Sequence, residues 1–184
     1  MKNDVTMLPH HRESAARAAE RIAADAEVRA LLLGGSVAHG FAAPESDIDA
    51  MLIVSDDEYE QRRRDGRLQY YDADACTYEG GYVDGKYLGE SFLLRVADSG
   101  SEPARFAFAD AQVLFSRIPD LDALVTRIAR YPVERKAERI QRFYAQLEAW
   151  HWYAHEARTG AAVLEARDMR PAGSEPGARP RGMT

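Results

Sequence analysis

Two short apolar runs set the pattern of the chain. Ala30 to Leu33 and Ala50 to Val54 are bounded by turn residues and too short for helices, so each reads as a buried strand. The first strand begins near Val28. Between the two runs lie a Gly34-Gly35-Ser36 turn, a short helix from Ser36 to Gly40 that Pro44 closes off, and the segment Ser46-Asp47-Ile48-Asp49. Upstream, residues 13–26 are rich in Ala, Arg and Glu, with Ala15, Ala19, Ile22 and Ala26 on one stripe, and predict an amphipathic helix packed on the sheet.

Downstream, residues 56–67 predict a helix, with Asp56 and Asp57 favouring its N-terminus and Gly66 ending it. Tyr82, Val83, Tyr87 and Leu88 favour a strand whose alternation sets Tyr82, Asp84 and Lys86 on one face and Val83, Gly85 and Tyr87 on the other. Residues 91–97 read as a helical turn or two, 99–103 as a loop, 112–116 as a last strand, and 120–130 as a helix held between Pro119 and Pro132. A long helical pattern over 133–165 carries Ile140, Phe143, Tyr144, Leu147, Trp150, Trp152 and Tyr153, an aromatic surface that needs cover. Residues 168–184, rich in Pro, Gly and Arg, read as a disordered tail. The expected organisation is therefore a catalytic domain over 1–131, a helical segment over 132–167 and the tail over 168–184.

Composition changes this picture little. A chain of 184 residues, 46% hydrophobic and 29% charged, suits one soluble globular domain with a small appendage. A formal net charge of -6 argues against a nucleic-acid surface and suits a small, cationic acceptor better. The single cysteine, Cys76, excludes an internal disulfide and a Cys-rich zinc site. No apolar run approaches a membrane span and the first residues lack the apolar core of a signal peptide, so the expected location is the cytoplasm. His10 and His11 are adjacent, do not face one another on a helix or strand, and read as exposed residues ahead of the first helix.

The chemistry is concentrated between the two runs. Asp47 and Asp49 stand one residue apart, so on a strand they share a face with Cα atoms about 6.5 Å apart, while Ile48 points into the core. Both carboxylates can then reach one cation, or bridge two. Hard oxygen ligands of this kind suit Mg²⁺, which takes its remaining ligands from water and substrate phosphates. Gly34 and Gly35 let the backbone turn sharply and an anion approach closely, and the Ser36 hydroxyl with the N–H groups of the short helix adds an anion site opposite. Alone, a D-x-D is more often solvated surface and a Gly-Gly-Ser more often a plain turn. Their combination, in this order and between strands, is far more specific, and it matches neither the P-loop nor the dinucleotide-binding pattern.

Gly35-Ser36 followed by Ser46-Asp47-Ile48-Asp49 resembles the signature of the DNA-polymerase-beta-like nucleotidyltransferase superfamily, particularly its small bacterial members, which include antibiotic nucleotidyltransferases. The resemblance implies an α/β (α+β) fold, a mixed sheet flanked by helices, followed here by a long C-terminal helix. It also implies Mg²⁺, a nucleoside triphosphate donor such as ATP, and transfer of a nucleoside monophosphate to an acceptor hydroxyl with release of pyrophosphate. A third carboxylate on a later strand is expected, and Asp84 is the best candidate; Asp72, Asp74 and Glu79 sit in the more polar approach to that strand.

In this reading Asp47, Asp49 and Asp84 hold the metals, and Asp84 also activates the acceptor. Gly35 and Ser36 cradle the donor phosphates and Lys86 neutralises their charge, while His39 either contacts the phosphates or makes a structural hydrogen bond, and Ser46 braces the loop or hydrogen-bonds a metal-ligating carboxylate. The Arg62-Arg63-Arg64 run reads as a solvated face, and Arg105 as a surface ion pair rather than a phosphate ligand. The expected acceptor is a small molecule of aminoglycoside-like character. An antitoxin-type enzyme that modifies a protein and a catalytically silent nucleotide-binding module are the alternatives. The uncovered aromatic helix further suggests a homodimer.

Overall fold

The computed structural model describes residues 7–159, which divide at Tyr131/Pro132 into two compact units. In the first unit five strands form one mixed sheet in the order β3-β4-β2-β1-β5. The strands are β1 (Val28–Leu33), β2 (Ile48–Val54), β3 (Gln69–Asp72), β4 (Val83–Gly89) and β5 (Gln112–Ser116). β2 and β4 run parallel, and every other neighbouring pair is antiparallel. β1 lies inside the sheet, between β2 and β5, and is almost wholly buried. That is why it is written as a continuous apolar run rather than an alternation: both its faces are covered.

Helix α1 (Pro9–Ala23) covers one face, where Ala15, Ala18 and Ile22 pack with Leu31, Leu33, Leu52 and Val54. Short helix α2 (Gly35–His39) joins β1 to β2, and α3 (Asp56–Arg64) follows β2 with Ser55 capping its N-terminus by accepting from the Glu58 N–H. The opposite face is covered by α4 (Glu90–Ser99) and α6 (Leu121–Ala129), whose Leu93, Val96, Leu121, Val125 and Ile128 surround Phe108 and meet Ala30, Leu32 and Ile53 of the sheet. Each fully buried aliphatic side chain of these layers contributes roughly 1.5–3 kcal/mol. The second unit holds a 3-10 turn (Val133–Arg135) and α7 (Lys136–Thr159). Among the described residues no helix is long and apolar enough to cross a membrane. The expected tail at 168–184, and the end of the helical pattern beyond residue 159, lie outside the described residues.

Several expectations need correction. Pro9 occupies the first turn of α1, so that helix starts earlier than its Ala-rich stripe suggested, and His10 and His11 lie inside it. His11 is 0% exposed, packed edge-on against the Tyr78 ring. Burial, reinforced by the neighbouring His10, holds its imidazole below the ordinary value. The loop expected at 99–103 is interrupted by α5 (Glu102–Phe106), which Ser101 caps and Pro103 opens. Arg62 is no free surface charge: it pairs with Glu58 and Asp25 and lies 4.0 Å above the centre of the Tyr87 ring.

A further correction is Arg105, which is neither a surface ion pair nor a phosphate ligand. It is 6% exposed and its guanidinium donates to the carbonyls of Ala97, Gly100, Ile128 and Arg130 at 3.0–3.3 Å. These carbonyls belong to the ends of α4 and α6, where the helical ladder leaves acceptors unpaired. One side chain thus satisfies two helix termini and fixes α5 between them. At the sheet edge, Asp72 accepts from Arg21, Tyr70 and the Asp74 and Ala75 N–H groups. Burial works against its ionisation, yet these donors outweigh it and hold the carboxyl below its ordinary value.

Two stability measurements check this. Replacing Arg105 with Met leaves its carbonyl partners unpaired and lowers the urea-unfolding free energy by about 3 kcal/mol at unchanged slope; a loss below about 1 kcal/mol contradicts the role given to the guanidinium. Because the folded pKa of Asp72 is depressed, its contribution is full above the unfolded carboxylate value of about 3.9 and disappears as pH falls through the folded one. Asp72→Asn therefore loses stability at neutral pH and shows a flatter acid limb; an unchanged limb contradicts the coupling.

Candidate active site

β1 ends in Leu33, and the chain then turns through Gly34 and Gly35 into α2. Gly35 has φ +60, a left-handed conformation that side chains other than glycine adopt at a cost. A Cβ built on it would also fall 1.7 Å from Asp49 Oδ2. The turn can lie against the Asp49 carboxylate only because that atom is missing. A backbone bond from the Gly34 N–H to the Asp49 carbonyl, 3.0 Å long, ties turn and strand together.

Asp49 is the second residue of β2, and its neighbour across the parallel pair is Asp84 of β4. Residues in register on adjacent strands share a face, so the two carboxylates stand side by side, with strands about 4.8 Å apart. Lys86, two residues further on the same face, is in register with Met51. Asp47 precedes β2 rather than lying in it, while Ile48 is buried as expected. Asp47 nevertheless belongs to the group: its charge, followed by burial and a hydrogen bond, raises the Tyr82 phenol. The loop that delivers it is braced by Tyr78, whose hydroxyl donates to the Ser46 carbonyl, and by His10 Nε2, 2.9 Å from the Pro44 carbonyl. The Ser46 hydroxyl accepts from the Ala43 N–H within the same loop.

Asp49 registers the whole assembly. Burial first, then the negative charges of Asp47 and Asp84, push its pKa above the ordinary value, while Lys86 and His39 pull it back. A cavity of about 320 Å³ opens over this group, lined by Gly35, Ser36, His39, Asp49, Asp84 and Lys86 among others. Six of the seven sequence-predicted site residues therefore face one cavity, and Asp47 flanks it. Among the competing carboxylates, Asp72 is committed to Arg21.

Among the described residues no three His, Cys, Asp or Glu side chains form a ready-made metal-binding group. The donor set still suits a hard divalent cation: it consists of carboxylates, and ionised Asp49 lies half-buried among like charges that a cation would neutralise. The space that Gly35 leaves beside Asp49 keeps that carboxylate accessible.

Sequence reasoning missed Asp110, Phe41 and Phe106, which surround His39. His39, expected as a phosphate contact, lines the cavity with its Nδ1 3.3 Å from Asp110 Oδ2 and its ring stacked with Phe41 and Phe106. Both phenylalanines line the cavity. Phe41 follows Gly40 directly and could have been noticed as an apolar residue in a polar spacer. Phe106 carries no local signal.

Residues 16–91 match the family model described as a nucleotidyltransferase domain. The match runs from α1 to the start of α4, and so contains the Gly-Ser turn, Asp47, Asp49, Asp84 and Lys86, but not α5. No curated protein matches the chain.

Gly35→Ala tests the close approach. Left-handed strain and the clash with Asp49 lower stability by about 1–3 kcal/mol, read as a fall in melting temperature. A variant as stable as the parent would show that the turn does not press on the carboxylate.

Proposed function

With residues 16–91 forming a nucleotidyltransferase domain of the polymerase-beta-like superfamily, and its fold one that supports transfer of nucleoside monophosphates, we propose that the chain moves a nucleoside monophosphate, AMP in the first instance, from an NTP to the hydroxyl of a small-molecule acceptor. The observation that carries this reading is the pairing of Asp49 with Asp84 across β2 and β4 in one cavity with Gly35 and Ser36.

Asp47, Asp49 and Asp84 would hold Mg²⁺. When bound, the metal supplies charge neutralisation on the donor phosphates and on the transferred group. Gly35 and Ser36 hydrogen-bond the donor phosphates, and Lys86 offsets their charge. Asp84 takes the proton of the acceptor hydroxyl, whose oxygen forms the new bond to the α-phosphorus. The bond from that phosphorus to the bridging oxygen breaks, and pyrophosphate leaves with the electron pair. Most of the rate enhancement comes from positioning, since the chain contributes no covalent intermediate.

The acidic surroundings of the site favour an acceptor bearing amines, such as an aminoglycoside-like compound, and a cytoplasmic location supplies both NTP and Mg²⁺. We also propose a homodimer through α7. Among the described residues of its unit, which form one helix and a 3-10 turn, Phe143, Tyr144, Leu147, Trp150 and Tyr153 stand exposed.

Asp49→Asn removes a ligand charge and little volume. Pyrophosphate release in the presence of NTP, Mg²⁺ and acceptor should fall about 100-fold or more. Thermal stability at neutral pH should hold or rise, because a neutral amide relieves the repulsion from Asp47 and Asp84. Unchanged turnover refutes the assignment. For the dimer, sedimentation at micromolar concentration should give twice the chain mass of 20.5 kDa; a monomer at all concentrations contradicts it.

A further inference from the structure

The cavity has an aromatic wall that transfer chemistry does not explain. The His39 side chain is only 7% exposed. Its ring is nearly parallel to two phenylalanines: Phe41 at 5.5 Å between centres with 4° between planes, and Phe106 at 4.6 Å with 16°. The phenylalanines themselves are not buried. Phe41 is 68% exposed and Phe106 61%. Large apolar rings left in water beside a polar site cost hydration free energy in the free protein and regain it when covered.

Both rings are also held in place. Phe41 follows Gly40, whose φ of +79 ends α2, and its N–H bonds to the Ser36 carbonyl at 3.2 Å, which fixes it close behind the Gly-Ser turn. Phe106 closes α5 directly after Arg105, whose guanidinium is pinned by carbonyls at the ends of α4 and α6. His39 links the two segments through its ring contacts and its approach to Asp110. The result is a preorganised stack of parallel rings that shares its cavity with Gly35, Ser36 and Lys86.

We propose that Phe41 and Phe106 form the platform on which the nucleobase of the donor stacks. This rests on the nucleotidyltransferase reading and extends it to base recognition. A nucleotide has one charged end and one flat apolar end, and the cavity offers a polar wall and an aromatic wall to match. Stacking on a π-face is indifferent to the hydrogen-bonding edge of the base, so this contact alone gives weak base discrimination, with purines ahead of pyrimidines through their larger overlap. An acceptor ring on the same platform is the competing occupant, and the test separates the two.

Calorimetric titration of the full chain in Mg²⁺ with a non-hydrolysable ATP analogue, and separately with inorganic tripolyphosphate, reads the two walls independently. In Phe106→Ala and Phe41→Ala the affinity for the analogue should fall about 5- to 100-fold while that for tripolyphosphate stays within about twofold, and Phe106→Tyr should recover most of the loss. Both rings are exposed, so circular dichroism should report an unchanged fold. Equal affinity of the parent chain for analogue and tripolyphosphate overturns the platform and leaves the phosphate site standing. Parent-like affinity of both alanine variants for the analogue also overturns it and returns the rings to the acceptor. Equal losses for both ligands overturn it in favour of a structural role through His39. A parent chain that binds neither ligand overturns the nucleotidyltransferase reading itself.

Discussion

The structure depends on one pairing, the parallel alignment of β2 with β4 that sets Asp49 beside Asp84. Parallel strands need a crossover, and here α3 and β3 fill it, so residues far apart in the chain arrive in register. Once the apolar positions of β2 and β4 commit their faces to the two cores, the carboxylates have no freedom to be elsewhere: a slip of one residue would turn Asp49 and Asp84 to the opposite face and expose Ile48 and Val83, both buried. Hydrophobic pattern thus enforces a juxtaposition of like charges that electrostatics alone would disperse. Burial and repulsion raise the Asp49 pKa in consequence. Strain of this sort is expected where a site is arranged for a cation rather than for the stability of the empty protein.

Everything else around the cavity serves to keep that arrangement accessible and rigid. Gly35 gives up its Cβ so that the turn can lie against Asp49. Tyr78 and His10 hold the loop ahead of Asp47 from the α1 side of the sheet. Arg105 secures the helix ends on the other side and with them the position of Phe106. Buried His11 makes sense in the same terms, as packing beneath Tyr78.

How much of this is legible in the sequence follows from range. Strands β1 and β2, the turn and the D-x-D segment are legible because their signals are local: short apolar runs, glycines, and carboxylates at a two-residue spacing. Asp84 and Lys86 are legible through alternation, on the premise that their strand lies beside β2. The expected placement of Asp47 within the strand fails by one residue, since β2 begins only at Ile48, and strand ends carry the weakest local signal. β3 escapes notice because only Tyr70 and Asp72 of its four residues are partly covered, and neither is an aliphatic signal of a buried face. Arg105, His11 and the Phe41-His39-Phe106 stack are illegible for a different reason. A buried arginine and a surface arginine have the same letter, and only contacts across the fold distinguish them.

The most direct measurement is a crystal structure of the chain with Mn²⁺ and a non-hydrolysable NTP, using the anomalous signal to locate the metal. The signal should fall between Asp49 and Asp84 with Asp47 in reach, and the triphosphate should lie against Gly35 and Ser36. Metal and phosphates bound together at any other place on the sheet would contradict the central claim, that register between β2 and β4 builds the reaction centre.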